Sequence, residues 1–119
     1  MRANEVASRV RSLAGEDIDA GKVYGFISEL DMRAQIDILG KAPKQAVALS
    51  IGDETYELCI PAPFDMAYVY YAAARINFER EEFELYNNNY GRATELFEAY
   101  ARWYHRNHLK PASKISGLW

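Results

Sequence analysis

The sequence contains one cysteine, Cys59, and four prolines, and it lacks any long apolar run. A lone cysteine excludes an internal disulfide framework and is typical of a chain made in a reducing cytosol. A transmembrane helix needs about 20 mostly apolar residues in a row, and no stretch approaches that length. The stretch from Met1 to Glu5 is not followed by the apolar core of a signal peptide. We therefore expect no membrane-spanning helix and no secretory leader.

Catalytic motifs are also missing. The sequence has no glycine-rich phosphate loop, no nucleophile elbow and no metal-binding helix motif. His105 and His108 have a spacing that could place two imidazoles near one metal ion. Two ligands do not make a site, however, and histidines favoured by the helix dipole are the more ordinary interpretation. We therefore expect no enzymatic activity, no bound metal and no cofactor.

The charge is mildly acidic overall but unevenly distributed. Fourteen Lys and Arg residues oppose seventeen Asp and Glu residues, for a formal net charge of −3, whereas avid nonspecific nucleic-acid binders are usually basic. Four acids crowd one stretch: Glu79, Glu81, Glu82 and Glu84. There a solvated helix start is a more ordinary explanation than paired catalytic carboxylates. No acid follows Glu98, while four cations lie beyond it: Arg102, Arg106, Lys110 and Lys114.

Aromatic residues are abundant: 9 Tyr, 5 Phe and 2 Trp make 13% of the chain. Disordered chains are poor in such residues, so we expect most of the length to fold. The size allows one domain, which we place at residues 1–107, followed by a basic tail at residues 108–119. Twelve of the aromatic residues fall between Phe64 and Tyr104. Because one helix pair cannot bury so many rings, we expect part of this surface to contact neighbouring subunits.

Helical spacing dominates the first 40 residues. Asn4 can cap a short helix whose apolar residues Val6, Val10 and Leu13 recur at i, i+4 and i+7, and Gly15 closes it. A longer apolar stripe then reaches Gly40, with Asp17 or Asp19 able to cap it. Its members are Val23, Ile27, Leu30, Ala34 and Ile38. Part of this stretch also alternates with period two, which leaves a strand open, but a strand of that length is rare and we predict a helix.

The pattern changes at residues 46–60. Apolar residues alternate with period two on both sides of a turn-like stretch at residues 52–55. They are Val47, Leu49 and Ile51 before it, and Tyr56, Leu58 and Ile60 after it. This pattern predicts a β-hairpin. Because two strands alone are marginal in water, the hairpin must pack on helices or join the sheet of another chain.

The remaining pattern predicts two long helices. Pro63 or Phe64 can open the first, since proline is tolerated in a first turn. The second carries a stripe with the 3.5-residue period of helix-on-helix packing. The stripe consists of Phe83, Tyr86, Tyr90, Ala93, Phe97, Tyr100 and Tyr104. We expect an antiparallel pair that turns between Asn77 and Glu82 and ends at Asn107. The predicted fold class is therefore mainly α: a small helical domain with a long antiparallel helix pair and a short β-hairpin insertion.

Two further features favour contacts with other chains. Asn87, Asn88 and Asn89 oppose helix propensity, so they either form a solvent-facing weak point or bond across to a neighbouring helix or subunit. The tail carries the apolar residues Ile115, Leu118 and Trp119. Such an anchor on a basic tail favours docking into a pocket of a partner over a frayed end.

Several short motifs resemble a small structural protein of tailed bacteriophages and prophages. They are Ile60-Pro61-Ala62-Pro63-Phe64-Asp65 followed by Tyr68 and Tyr71, then Tyr86-Asn87-Asn88, Tyr104-His105-Arg106-Asn107-His108 and Ile27-Ser28-Glu29-Leu30-Asp31. Over residues 4–40 and 60–110 the chain resembles the head–tail connector (adaptor) family, which has a mostly helical fold. The stretch at residues 46–60 matches no motif of that family.

The resemblance implies a structural virion protein. Members of the family form a ring, usually a dodecamer, that bridges the portal to stopper or tail-completion proteins and extends the DNA channel. It implies a place in the virion neck for a chain made in the bacterial host cytoplasm, with no membrane and no specific DNA binding. The alternative, from another class, is a small helical regulatory or nucleic-acid-binding module that uses the basic tail.

Within such a ring, three groups of residues are assigned roles. We expect subunit contacts at Tyr70, Tyr86, Asn87, Asn88 and Tyr90. We expect Asp53 and Glu54 to face the channel or the next ring. By the resemblance, the tail binds the portal through Leu109, Lys110, Lys114, Ile115, Leu118 and Trp119.

Overall fold

A computed structural model describes residues 1–108, except the side chain of Ile51. It contains four α-helices: α1 (Ala3–Ala14), α2 (Ala20–Asp37), α3 (Met66–Glu79) and α4 (Phe83–His108). Two single 3₁₀ turns lie at Pro43–Gln45 and Ile51–Asp53. The prediction of a mainly helical fold is confirmed.

Both N-terminal helices lie close to their predicted positions. Gly15, at φ 122°, ends α1 as expected, because this conformation favours glycine. The carboxylate of Asp19 accepts a hydrogen bond of 3.0 Å from the backbone of Lys22 and caps α2. The predicted α2 stripe from Val23 to Ile38 is buried. Leu13 of α1 was predicted to be on the apolar face, but its side chain is 53% exposed.

The long helix pair is also confirmed, with α3 starting two residues later than Phe64 and α4 ending at His108. The turn between α3 and α4 contains Glu81 in the left-handed region, at φ 60°. The buried Asn77 holds this turn together, since its amide donates to Glu82 (2.9 Å) and its oxygen accepts from Asn89 (2.8 Å). At 1.5 Å per residue, α4 is about 39 Å long and α3 about 21 Å. The C-terminal part of α4 therefore extends past the N-terminus of α3.

The predicted β-hairpin at residues 46–60 is wrong, since the described residues contain no β-strand. The only ladder contact described there is an isolated antiparallel bridge between Arg2 and Glu57. Apart from its 3₁₀ turn, the backbone of this segment bonds to α2 and to the N-terminus and not across a strand pair. Val47 exchanges two hydrogen bonds with the side chain of Gln35 (2.9 and 3.1 Å), and Leu49 donates to the hydroxyl of Ser28 (2.9 Å).

The second half of the segment is held in the same way. Tyr56 accepts from the backbone of Ala3 (3.0 Å), and Leu58 donates to the carbonyl of Met1 (3.1 Å). The alternation of apolar residues thus does not reflect strand pairing: Leu49, Leu58 and Ile60 are buried in the core, whereas Val47 is 43% exposed. With no hairpin, the argument that this segment needs the sheet of another chain no longer holds.

The core forms around α3, which contacts each of the other three helices. Its alanines at 72, 73 and 74 are almost fully buried, and their small side chains allow close approach of the neighbouring helices. Val6 and Val10 of α1, Ile27 of α2 and Tyr68 of α3 are among the fully buried side chains of this core. The outer side of α4 is left to solvent.

Candidate interaction surface

Four aromatic side chains form a continuous surface at the α3–α4 turn, which we call the turn patch: Phe78, Phe83, Tyr86 and Tyr90. Ring centroids lie 5.8 Å apart for Phe78–Phe83, 5.2 Å for Phe78–Tyr86 and 5.5 Å for Tyr86–Tyr90. Three of the members are on α4 at i, i+3 and i+7, a spacing that puts them on one helix face. Phe78, in the last turn of α3, joins them across the turn.

The turn patch is unusually open for such apolar groups. The exposed fraction is 54% for Phe78, 51% for Phe83 and 37% for Tyr90. Single exposed apolar residues are normal, but adjoining exposed aromatic rings mark a surface that a partner can cover. Edge-to-face and stacked pairs also hold the rings in fixed positions, so the patch presents a preformed shape.

Acidic residues surround this end of the helix pair. Glu79 pairs with Lys22 (2.7 Å), and Asp17 pairs with Arg80 (3.5 Å). Glu81 and Glu84 are exposed, and neither forms an ion pair within residues 1–108. The patch is therefore an aromatic surface with a negative rim.

A second aromatic group, which we call the C-terminal cluster, lies at the far end of α4: Phe64, Tyr100, Trp103 and Tyr104. Phe64 packs on Tyr100 at 5.6 Å and on Trp103 at 6.3 Å, and the ring of His108 stacks on Tyr104 at 3.9 Å. Trp103 is 38% exposed. The neighbouring Arg102 and Arg106 are exposed, so this cluster has a positive rim.

The five residues predicted to contact other subunits do not form one surface. Tyr86 and Tyr90 lie together in the turn patch. Tyr70 lies on the side of α3 that faces α1, where Arg92 sits over its ring at 5.4 Å. Asn87 and Asn88 are exposed on the outward side of α4. Contact of these five residues with a neighbour stays a prediction.

Asp53 and Glu54, predicted to face the channel or the next ring, lie in and directly after the second 3₁₀ turn. Asp53 accepts two hydrogen bonds from Ser50 (2.9 and 3.3 Å) and closes the second 3₁₀ turn. Glu54 is exposed, and its backbone accepts from Asn4 of α1 (2.9 Å). These residues lie against the body and not at the tip of a hairpin. The predicted portal-binding residues lie outside the described residues: Leu109, Lys110, Lys114, Ile115, Leu118 and Trp119.

A buried polar network around Asp31 was missed by the sequence reasoning. The carboxylate, with no exposed surface, accepts from the hydroxyl of Tyr68 (2.6 Å), the backbone of Cys59 (2.9 Å) and the amide of Gln35 (2.9 Å). The Tyr68 hydroxyl in turn accepts from the backbone of Ile60 (2.9 Å). One α2 carboxylate thus ties α3 to the segment at residues 46–60.

The network keeps the Cys59 thiol and the Tyr68 hydroxyl in their neutral forms. Burial, and then the nearby Asp31 carboxylate, raises the pKa of the Cys59 thiol to about 12. The same two causes raise the pKa of Tyr68. A thiol is nucleophilic only when deprotonated, so this arrangement is suited to holding the fold and not to chemistry at Cys59. Ser28, Asp31 and Gln35 follow one another at i, i+3 and i+7 beside the apolar stripe, and this spacing was the available signal.

A cleft of about 200 Å³ separates α2 from α4 beside the turn patch. Leu30, Tyr71, Tyr90 and Phe97 line it, and the guanidinium of Arg33 lies 5.4 Å from the ring centre of Phe97. The cleft is small for a drug-sized ligand. It extends the apolar surface of the turn patch along α4.

Other sites considered from the sequence have no support in the described geometry. Within residues 1–108, no group of three or more His, Cys, Asp or Glu is arranged to hold a metal ion, so His105 and His108 lack further ligands there. None of the helices in the described part of the chain combines the length and the apolar character that a bilayer crossing requires.

Comparisons of the chain with protein-family models, with curated proteins and with solved structures gave no match. The description of both aromatic surfaces therefore rests on the residues of this chain alone. The resemblance to head–tail connectors stays a prediction.

Proposed function

We propose that this protein is a non-enzymatic structural component that works as an assembly of copies, a head–tail connector of a tailed bacteriophage or prophage. In this role it bridges the portal to stopper or tail-completion proteins in the virion neck, after synthesis in the host cytoplasm. The observation that carries the proposal is the exposed aromatic surface at the turn patch, where three rings remain a third to a half uncovered.

Physical arguments support an assembled role for this surface. Aromatic residues are enriched in protein–protein interfaces, and a folded chain gains nothing by leaving adjoining rings in water. The long α4 presents aromatic groups at both of its ends, so that one helix offers two contact surfaces. The sequence motifs quoted above add the resemblance to the connector family.

The charge distribution supports a place beside passing DNA. The formal net charge is −3, and the acids Glu95 and Glu98 are exposed on α4 between the two aromatic surfaces. Unpaired carboxylates repel phosphate, so the body would let DNA slide past without binding it.

The proposal is tested by portal binding. The full chain and the double variant Leu118→Asp/Trp119→Asp are mixed with portal protein from the same phage or prophage and sedimented together. We expect the wild type to co-sediment and the variant to remain in the supernatant, because a charged tail cannot fill an apolar pocket. The chain shortened by residues 109–119 should behave in the same way.

Circular dichroism is the folding control, because both variants should keep the helix content of the wild type. The variant Ser113→Asp/Ser116→Asp changes the tail charge equally and leaves its apolar residues intact, so it should still bind. Equal co-sedimentation of the wild type and the Leu118→Asp/Trp119→Asp variant would contradict the tail assignment. A wild-type chain that never binds portals would contradict the connector function.

One observation favours the alternative of a small nucleic-acid-binding module. Arg102 and Arg106 are exposed in the last turns of α4, and no acid follows Glu98 in the sequence. This alternative predicts salt-dependent binding of duplex DNA by the isolated protein, which a filter-binding series over increasing salt would measure. The connector proposal predicts no retention at physiological salt.

A further inference from the structure

The two ends of α4 carry opposite charge next to exposed aromatic rings. At the turn patch, Phe78 and Phe83 are about half exposed. Glu81 and Glu84, two residues before and one residue after Phe83, are exposed and form no ion pair within residues 1–108. From Phe83 to Trp103 the helix rises about 30 Å. The two surfaces are therefore too far apart to touch within one copy of the chain.

The other end offers the complementary arrangement. Trp103 of the C-terminal cluster is 38% exposed. Arg102 and Arg106, one residue before it and three residues after it on α4, are exposed, and neither forms an ion pair within the described part of the chain. An aromatic anchor with two cations thus stands at one end of α4, and an aromatic surface with two anions stands at the other.

We propose that the C-terminal end of α4 of one copy docks on the turn patch of a second copy. Trp103 would cover the rings of Phe78 and Phe83, while Arg102 and Arg106 approach Glu81 and Glu84. The contact joins two different surfaces, so each copy can bind one neighbour at each end, as ring or filament assembly requires. This inference rests on the proposal that the protein works as an assembly of copies, and it names the surfaces that meet.

A symmetric contact between two turn patches is disfavoured. It would bring Glu81 and Glu84 of one copy against the same residues of the other, and like charges across an interface oppose association. A contact between two C-terminal clusters is disfavoured for the same reason, because it would bring Arg102 and Arg106 of one copy against the same residues of the other. Only the pairing of unlike ends satisfies both charges and rings.

The size of the surface sets the expected strength. The solvent-exposed surface of Phe78, Phe83 and Tyr90 in the turn patch amounts to roughly 300 Å². A standard stable interface buries roughly 800 Å² per partner. The contact should therefore be weak in solution and strengthened by many copies held side by side. Its charged rim makes it sensitive to salt, because exposed charges are screened at high ionic strength.

The test is sedimentation velocity of the full chain at protein concentrations up to about 1 mM, the range in which weak contacts form. We expect association at about 20 mM salt that falls at least tenfold at about 500 mM salt. Two variants test the two surfaces separately. Glu81→Lys/Glu84→Lys reverses the charge at the rim of the turn patch, and Arg102→Glu/Arg106→Glu reverses the charge beside the C-terminal cluster. Each alone should be monomeric where the wild type associates.

An equimolar mixture of the two variants should associate again, since each intact end then meets its intact counterpart on the other variant. The control Asp37→Lys/Glu95→Lys makes the same change of net charge as Glu81→Lys/Glu84→Lys, at exposed positions away from both ends, and it should associate as the wild type does. Circular dichroism checks that all variants keep their helix content.

Three outcomes would overturn the inference: a wild type that stays monomeric at low salt, single variants that associate normally, or a mixture that stays monomeric. Failure here is distinguishable from failure of the connector function. A chain that binds portals yet never self-associates removes only the contact between unlike ends. A chain that self-associates yet ignores portals removes the connector function and leaves this contact.

Discussion

The two ends of α3 use aromatic residues in opposite ways. Near its N-terminus, Tyr68 is fully buried, and its hydroxyl joins Asp31 to the backbone of Ile60. In its last turn, Phe78 is 54% exposed and contacts other rings of the turn patch. The hydroxyl of Tyr68 makes its hydrogen bonds within the chain, whereas about half of the Phe78 side chain remains in contact with solvent. The difference separates residues that hold the fold from residues that are available to a partner.

The reactivity of Cys59 is the strongest test of whether the buried network around Asp31 is closed to reagents. Because its pKa is raised to about 12, the thiolate fraction near neutral pH should be about a thousandfold lower than in an unfolded chain. We expect the folded protein to react with a disulfide reagent slower by about that factor than the chain in concentrated urea. Fast reaction of the folded protein would show that the network is open.

The same pKa has a consequence for stability at alkaline pH. The folded state holds the thiol proton more tightly than the unfolded chain, so this contribution is fully present below the ordinary pKa of the thiol. It is lost as pH rises from about 9 to about 12. Urea unfolding over this range should show falling stability, and Cys59→Ala should flatten the part of the decline that the thiol causes.

The next largest effect is expected from removing the central carboxylate. Asp31→Ala removes the acceptor of the Tyr68 hydroxyl and of the Cys59 backbone, and it removes one of the two acceptors of the Gln35 amide. We expect the free energy of unfolding to fall by about 3 kcal/mol or more, measured by urea denaturation. The control is Asp37→Ala on the same helix, whose exposed pair with Arg33 should contribute under about 1 kcal/mol. Equal losses from the two variants would deny the network its structural role.

A matched pair of hydroxyl deletions compares the two regions directly. Tyr68→Phe removes the hydroxyl that bonds Asp31 and Ile60, and it should cost about 2 kcal/mol of unfolding free energy. Tyr86→Phe removes a hydroxyl that makes no hydrogen bond within residues 1–108, so its cost should be within about 0.5 kcal/mol of zero. A reversed order of the two values would break the comparison.

The smallest effect is expected in the turn patch itself. Phe83→Ala removes a ring that is already half in water, so the free energy of unfolding should fall by about 1 kcal/mol. Ile27→Ala, in the buried stripe of α2, should cost about 2–5 kcal/mol. A loss at Phe83 as large as that at Ile27 would mean that the patch stabilises the fold and is not free for a partner.

The helices were predictable because their signals are local. The stripe of α2, the terminal Gly15 and the Asp19 cap, one of the two caps predicted as possible, depend on residues a few positions apart and lie where predicted. The predicted Asn4 cap is wrong, because α1 begins at Ala3 with Arg2 at its N-cap. Glu81 shows the limit of this approach, since nothing in the sequence marks it as a residue with positive φ. The aromatic stripe of α4 was also correct in period, but exposure of Phe83 and Tyr90 depends on how far the other helices reach.

The hairpin failed because alternation does not reveal a hydrogen-bond partner. Leu49, Leu58 and Ile60 are buried but Val47 is 43% exposed, and backbone groups of this segment bond to side chains of α2, namely Ser28, Gln35 and Asp31. Those three polar residues at helical spacing beside an apolar stripe indicate a buried polar face. The turn patch was foreseen only in part, because Phe78 joins it from another helix.

The length of α4 has a consequence for how this helix opens. Its middle is fixed by buried Ala93 and Tyr100, whereas every residue from His105 to His108 is exposed. Backbone amides in the middle should therefore exchange with solvent hydrogen only when the whole domain unfolds, and amides in the last described turn should exchange by local fraying. A partner bound at that end would slow amide hydrogen exchange in the last described turn alone. Exchange rates along α4 would therefore show which of its two ends is occupied.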